Sequence, residues 1–198
     1  MNFVTRAYEQ KQRAERQEQT RQRIIEAAIE LHQTLGPART TVTDIADRAG
    51  VSRLTVYRHF PDELALGMAC SGLYWELHPL PDPAAWRSFP DLTGRLRAAL
   101  EETYAYHRQT EPMMSHALAD SADTPIMRPY HEHWRNAAAV VAGAGPDGDP
   151  GDLMLRAAVG HALAFGTWQS LTRDQELNDQ EAIELMLRLV SAGSRVDA

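Results

Sequence analysis

Apolar residues recur at helical spacing along most of the chain. Ile24, Ala28, Leu31 and Leu35 stand at i, i+4, i+7 and i+11, which predicts a helix over 21–35 that Gly36 and Pro37 stop. Ile45, Ala46 and Ala49 give a second, shorter helix a small apolar face, and Val56 and Phe60 do the same for a third. Leu66, Cys70, Leu73 and Leu77 form the stripe of a fourth helix, which starts at Pro61 or Asp62 and runs to about His78. Residues 79–90 hold four prolines and read as a loop, in which Trp86 and Phe89 either pin the segment to the body or close as a lid, pinning being favoured. Further helices are expected over 91–109, 111–122, 125–142, 152–171 and 178–192, with a flexible Gly/Pro loop at Gly143–Gly151.

The stretch Thr41–Phe60 carries the most information. Thr41 can cap the second helix, and Asp44, three residues on, places a carboxylate in its first turn. Gly50 supplies the left-handed backbone that ends it, and Ser52 can cap the third helix. With Val56 and Phe60 turned inward, Arg53, Thr55, Tyr57, Arg58 and His59 fall on or near the outer faces. Arginine can donate to guanine in bidentate fashion, threonine can touch a thymine methyl, and tyrosine and histidine can donate to phosphates. Helix, glycine turn and helix of this length is the helix-turn-helix arrangement, whose second helix enters the major groove. The candidate DNA-binding residues are Thr41, Thr43, Ser52, Arg53, Leu54, Thr55, Tyr57, Arg58 and His59.

The run T-V-T-D-I-A-x-x-A-G-V-S-x-x-T-V-Y-x-H-F resembles the DNA-binding end of the tetracycline-repressor (TetR) family. The resemblance extends upstream over Ile24–Gly36 and downstream into Leu64–Leu66, about the first third of the chain. It implies an all-helical homodimer with a ligand pocket in the body. It also implies a lysine in the first turn of the fourth helix that meets a phosphate; the matching position here is Glu63, which cannot make that contact.

The net charge of −7 looks wrong for a DNA binder until it is divided along the chain. Residues 1–60 hold ten Lys and Arg against seven Asp and Glu, giving +3, whereas residues 61–198 hold ten against twenty, giving −10. A positive head on an acidic body suits a protein that meets phosphates at one end. Residues 1–20 read as an arm, either a solvated tail or a segment whose Arg13 and Arg16, with Arg21 and Arg23 beyond it, reach phosphates or the minor groove. The longest nearly apolar run, Ala137–Gly145, is too short to span a bilayer, and the charged N-terminus does not read as a secretory signal, so a cytoplasmic location is expected. The single cysteine, Cys70, excludes an internal disulfide and reads as a small buried apolar residue.

No nucleophile elbow, phosphate loop or paired-carboxylate signature is present, so no catalysis and no cofactor are expected. His131 and His133 point about 200° apart on a regular helix and cannot share a metal, so no metal site is expected. Trp75, Tyr104, Met113, Met114, Tyr130, Trp134, Phe165 and Trp168 are candidates to line an apolar effector pocket, or simply to fill a core. The last two helices are the candidate dimer surface, through Ala157, Gly160, Ala164, Trp168, Ile183, Met186, Leu187 and Val190. One short helix reads few base pairs, and a two-fold dimer reading paired half-sites is the usual remedy.

The expectation is therefore an all-α chain with a flexible basic arm at 1–20, a three-helix helix-turn-helix DNA-binding domain at 21–66, and a helical ligand-binding and dimerisation domain at 67–198. Its expected role is a ligand-responsive transcriptional regulator, a repressor released from its double-stranded operator by a small apolar or aromatic molecule. The competing reading is a helical ligand-binding or interaction protein with a vestigial helix-turn-helix, for which Glu63 and the acidic body speak.

Overall fold

The structure is a computed structural model that describes residues 3–121, 123–143 and 152–193. Apart from Gly143, the expected loop Gly143–Gly151 lies outside the described residues. The described chain is helical, with no strand: α1 Phe3–Thr34, α2 Val42–Ala49, α3 Arg53–His59, α4 Glu63–Leu77, α5 Pro83–Trp86, α6 Leu92–Ser121, α7 Arg128–Ala142, α8 Leu153–Ala162, α9 Phe165–Gln169 and α10 Asp179–Gly193. It divides into two compact units, Met1–His78 with Ser115–Ile126, and Pro79–Met114 with Met127–Ala198.

The first unit gathers α1 to α4 around Ile24, Ala28, Ile45, Ala46, Val56, Phe60 and Leu66. Its first helix differs from the expected one, because α1 begins at Phe3 rather than near residue 21. Arg, Lys, Glu, Gln and Ala dominate the added turns, all strong helix formers, and pairs such as Lys11–Glu15 and Glu18–Arg21, each at 3.9 Å, lie along them. No apolar stripe is needed to extend a helix whose later turns are already buried. The stripe of α4 also differs: Leu66, Cys70 and Tyr74 are buried at a spacing of four, whereas Leu73 is half-buried and Leu77 exposed. Asp62, not Pro61, sets its start, accepting from the Ala65 N–H at 2.7 Å. Burial pushes the Cys70 thiol up to about 12, as befits a packing residue.

The segment Ser115–Ile126 belongs to this unit through close backbone approaches. A Cβ on Gly67 would stand 2.4 Å from the end of Ile126, and one on Gly36 would stand 2.7 Å from the Asp120 carboxylate. That carboxylate accepts from the Ala38 N–H at 3.0 Å, in the 3-10 turn between α1 and α2.

In the second unit, three expectations are corrected. The stretch 79–90 is not all loop. Asp82 accepts from the Ala84 N–H at 2.9 Å and Pro83 opens α5, which seats Trp86 in the core with its indole N–H 3.0 Å from Glu102 Oε2. Trp86 pins the segment, while Phe89 stays exposed. The two helices expected over 91–122 are one, running through Pro112. Proline normally breaks a helix interior by removing a bond and crowding the turn before it. Here Thr110, Met113, Met114 and Ala117 are buried around the site, and this tertiary packing outweighs the local penalty. The single helix expected over 152–171 is broken at Leu163–Ala164, where Ala164 is extended with ψ 140°, and a π turn follows α9 at Ser170–Asp174. The break exposes three carbonyls, and side chains take each: Thr167 Oγ1 donates to His161 O at 2.6 Å, Tyr104 Oη to Ala162 O at 3.1 Å, and His107 Nε2 lies 3.0 Å from Leu163 O. α10 opens with a reciprocal cap, Asn178 N–H to Glu181 Oε2 at 2.9 Å and Glu181 N–H to Asn178 Oδ1 at 3.0 Å.

Candidate nucleic-acid interface

Local chemistry builds the reading head. Thr41 caps α2: its hydroxyl accepts from the Asp44 N–H at 3.2 Å and donates to Asp44 Oδ2 at 2.6 Å, while its own N–H donates to the same oxygen at 2.9 Å. These bonds hold the Asp44 carboxyl below the usual carboxylate range. Gly50 ends the helix at φ 65°, ψ 41°, and Ser52 Oγ then accepts from the Thr55 N–H at 3.1 Å to start α3. Ile45, Ala46 and Ala49 of α2 and Val56 of α3 are buried, so the turn angle is fixed from both sides.

This frame turns the other face of α3 outward. Arg53, Leu54, Tyr57 and Arg58 are exposed, Leu54 by 79% and Tyr57 by 45%, and Thr55 and His59 are half-buried. Among the described residues no carboxylate pairs with Arg53 or Arg58. Arg48, by contrast, is held by Glu30 through Nε at 3.0 Å and through a second, shorter contact. Burial, then the cations Arg58 and Arg21, push the His59 imidazole below its ordinary value, which favours its neutral form. Thr43 is exposed on α2, and so is Thr41, although the Thr41 hydroxyl is committed to its cap. Of the arm residues, Arg13, Arg16 and Arg23 are exposed, but Arg21 folds back with its guanidinium 5.1 Å from the Phe60 ring centroid. Glu63 stands exposed in the first turn of α4.

Residues 24–75 match the family described as bacterial regulatory proteins, tetR family. The likeness to that family thus lies in the head. The head is 42% identical over 64 residues to the HTH-type transcriptional regulator TtgR of Pseudomonas putida, a segment that is 32% of this chain and 30% of that protein. The chain thus matches less than a third of the curated relative's length. Over the whole chain the likeness is one of fold. NalD, described as the secondary repressor of the MexAB-OprM multidrug efflux pump in Pseudomonas aeruginosa, superposes with a TM-score of 0.60 at 21% identity, covering 90% of this chain and 97% of that one. A tetR-family transcriptional regulator from Streptomyces coelicolor gives 0.58 at 23% identity, covering 87% and 78%.

Beyond the tetR-type head, the second unit brings five of the eight candidate effector residues around one side chain. The His107 ring centroid lies 5.3 Å from Trp134, 5.4 Å from Phe165, 5.9 Å from Trp168 and 6.4 Å from Tyr104, and Tyr130 meets Trp134 edge-on at 5.9 Å. Met113 and Met114 are buried further along α6, and Trp75 lies in the first unit, half-buried. Composition and spacing singled out the aromatic side chains but missed their hub. The available signal was register: His107 continues the stripe of Leu96, Leu100 and Thr103, a polar residue at a core position. Arg108 and Arg173 each stack 5.6 Å from the Trp168 ring, and the Trp168 indole donates to Asp179 at 3.0 Å. Arg108 and Asp179 form a bidentate pair at 2.7 and 2.6 Å, and Arg173 pairs with Glu111. Among the described residues no three His, Cys, Asp or Glu side chains gather as a metal site would require.

The candidate dimer residues separate into two sets. Trp168, Ile183, Met186, Leu187 and Val190 are buried within the protomer, so these side chains are core rather than surface. Ala157 is exposed, and Gly160 and Ala164 are half-buried. Ala157 and Gly160 border an open groove of about 610 Å³ between α7 and α8, beside Leu153 at 64% exposure, with Met154 at 77% nearby. None of the described helices is long and apolar enough to cross a membrane.

Proposed function

We propose that this protein is a homodimeric transcriptional regulator that binds a double-stranded operator and is released from it by a small apolar or aromatic effector, acting as a repressor. The observation that carries the reading is the capped glycine turn that presents Arg53, Tyr57 and Arg58 outward, with no carboxylate among the described residues paired to either arginine. Free guanidinium groups on an outward helix of a helix-turn-helix can meet bases and phosphates without first breaking an ion pair. Arg53 takes base edges; Tyr57, Arg58 and His59 take phosphates; Ser52, Thr43 and Thr55 complete the footprint, and Leu54 offers an apolar contact. The exposed face of α8 at Leu153, Met154 and Ala157 supplies the dimer surface, because an apolar strip of this kind is costly to leave in water.

The test is fluorescence anisotropy with a duplex taken from upstream of the protein's own coding sequence, at salt between about 50 and 200 mM. A reader shows sequence preference and a slope of about −0.9 per phosphate neutralised. Arg53→Ala is expected to cost about 1–3 kcal/mol and relax preference at one position of each half-site. Tyr57→Phe is expected to weaken all sequences alike. A flat salt response without sequence preference rejects the reading.

A further inference from the structure

Within the second unit, His107 is fully buried, and its bonding leaves one nitrogen unused. Nε2 sits 3.0 Å from the Leu163 carbonyl oxygen, and a carbonyl can only accept, so this nitrogen carries the ring proton. Nδ1 is therefore a bare lone pair, buried, and no donor among the described residues bonds it. Burial also pushes the imidazole down to about 4, which keeps the ring neutral. Among the further buried groups close by without a formed hydrogen bond are the Tyr130 hydroxyl and the Trp134 indole N–H, which bear on one another without the geometry of a bond. Trp134 connects them to His107, its ring lying 5.3 Å from the imidazole and 5.9 Å from Tyr130. Buried polar groups are nearly always satisfied, so an acceptor and two donors left open among aromatic rings need a reason. The ionic groups around Trp168, Arg108, Asp179, Arg173 and Glu111, are engaged with each other and with its ring, while Arg135 and Arg156 lie in the outer groove beside Trp134. Among the described residues the rings packed on His107, those of Tyr104, Trp134, Phe165 and Trp168, carry no charge to neutralise a charged guest, and burying an unpaired charge is prohibitive.

We propose, on the strength of the effector reading above, that this cage is the effector site and that its ligand is an uncharged hydroxyarene: the ligand hydroxyl donates to His107 Nδ1 while its oxygen accepts from the Trp134 indole N–H or the Tyr130 hydroxyl. The rings of the cage already touch, so the aromatic body of the ligand takes the place against Phe165 and Trp168 that Trp134 gives up: this ring is half-buried, borders the groove between α7 and α8, and turns to admit the guest. A site built to receive a hydroxyl rejects the analogue that lacks it far more sharply than a greasy pocket rejects a change of size.

Two probes of similar shape read this out: 2-naphthol, which donates, and 2-methoxynaphthalene, which cannot. Calorimetry on the full chain is expected to show at least tenfold tighter binding of 2-naphthol. His107→Gln keeps a donor for Leu163 but trades the ring nitrogen for an amide oxygen on an open, unbranched side chain, which takes the acceptor off the Nδ1 position, and the two probes should then bind alike. Tyr130→Phe and Trp134→Phe should weaken both probes and leave their ratio intact. If His107→Gln does not fold, ¹⁵N spectra of the wild-type histidine rings decide the question: 2-naphthol should shift the Nδ1 resonance of one neutral histidine, and 2-methoxynaphthalene should not. Equal affinities in the wild type, a preference that survives His107→Gln, an unmoved Nδ1 resonance, or no binding of 2-naphthol overturns the proposal. The calorimetry needs no DNA. If operator DNA binds and 2-naphthol does not, the cage proposal falls and the regulator stands; if 2-naphthol binds as described and no DNA does, the reverse holds.

Discussion

Single residues in this chain carry consequences that can be given a sign. His107 is held neutral by burial, at about 4 against an ordinary 6.5. Its folded value lies below its unfolded one. Its contribution is therefore complete above pH 6.5 and is lost as the pH falls through that value towards 4, where the unfolded chain binds a proton the folded one refuses. Unfolding free energies from denaturant titrations at pH 7 and 4.5 should differ by about 2–3 kcal/mol more in the wild type than in His107→Gln. His32, His59 and His133 are lowered in the same direction, also by burial first, and they contribute equally to both proteins, so the difference isolates His107. Two glycines offer a second contrast. Gly50 has left-handed φ with open space around it, so Gly50→Ala should cost about 1 kcal/mol. Gly36 has φ 89° and ψ 154°, a region essentially reserved for glycine, and its Cβ would crowd Asp120 and His116. Gly36→Ala should cost about 2–4 kcal/mol and lower the thermal midpoint further than Gly50→Ala.

At the scale of elements, the reading head was legible because its signals are local. The Thr41–Asp44 box, the Gly50 turn and the Ser52 cap are chemistry between residues close along the chain, and each forms as the residues demand. Ser52→Ala should cost about 1 kcal/mol of stability and fray the first turn of α3, seen as faster amide exchange at Thr55. The elements that escaped the sequence reading are governed by contacts distant along the chain. The break between α8 and α9 is held by Tyr104 and His107, 58 and 56 residues from the carbonyls they meet, which no local pattern announces. Pro112 persists inside α6 because burial on its flanks compensates, a term invisible to propensity. The continuation of α1 to Phe3 has the opposite cause: polar helix formers extend a helix without a buried face, so no apolar stripe marks these turns in the sequence. Periodicity along α10 reports that a face is buried and not by what: Ile183, Met186, Leu187 and Val190 are covered within the protomer itself.

For the whole molecule, the deciding issue is how a body carrying −10 over residues 61–198 serves a head carrying +3. One head offers few cations, so monomer affinity for phosphates is weak and strongly screened. Pairing two heads through their bodies doubles the phosphate contacts and fixes a spacing, about 34–36 Å for successive major grooves. In the proposed dimer, pairing is the step at which binding becomes specific, and the exposed strip Leu153, Met154 and Ala157 is where it can be attacked without touching the head. Leu153→Glu with Ala157→Glu adds negative charge to a self-facing surface, so like charges meet across the two-fold axis. Sedimentation should show the doubly substituted protein as a monomer, with an unchanged helical spectrum, since both side chains already face solvent. Anisotropy should show its operator affinity falling by at least a hundredfold and its salt slope dropping to about half the wild-type value, because half the phosphate contacts leave with the second head. A full-strength operator complex from a protein shown to be monomeric would mean that a single α3 suffices, and the dimer would have no part in recognition.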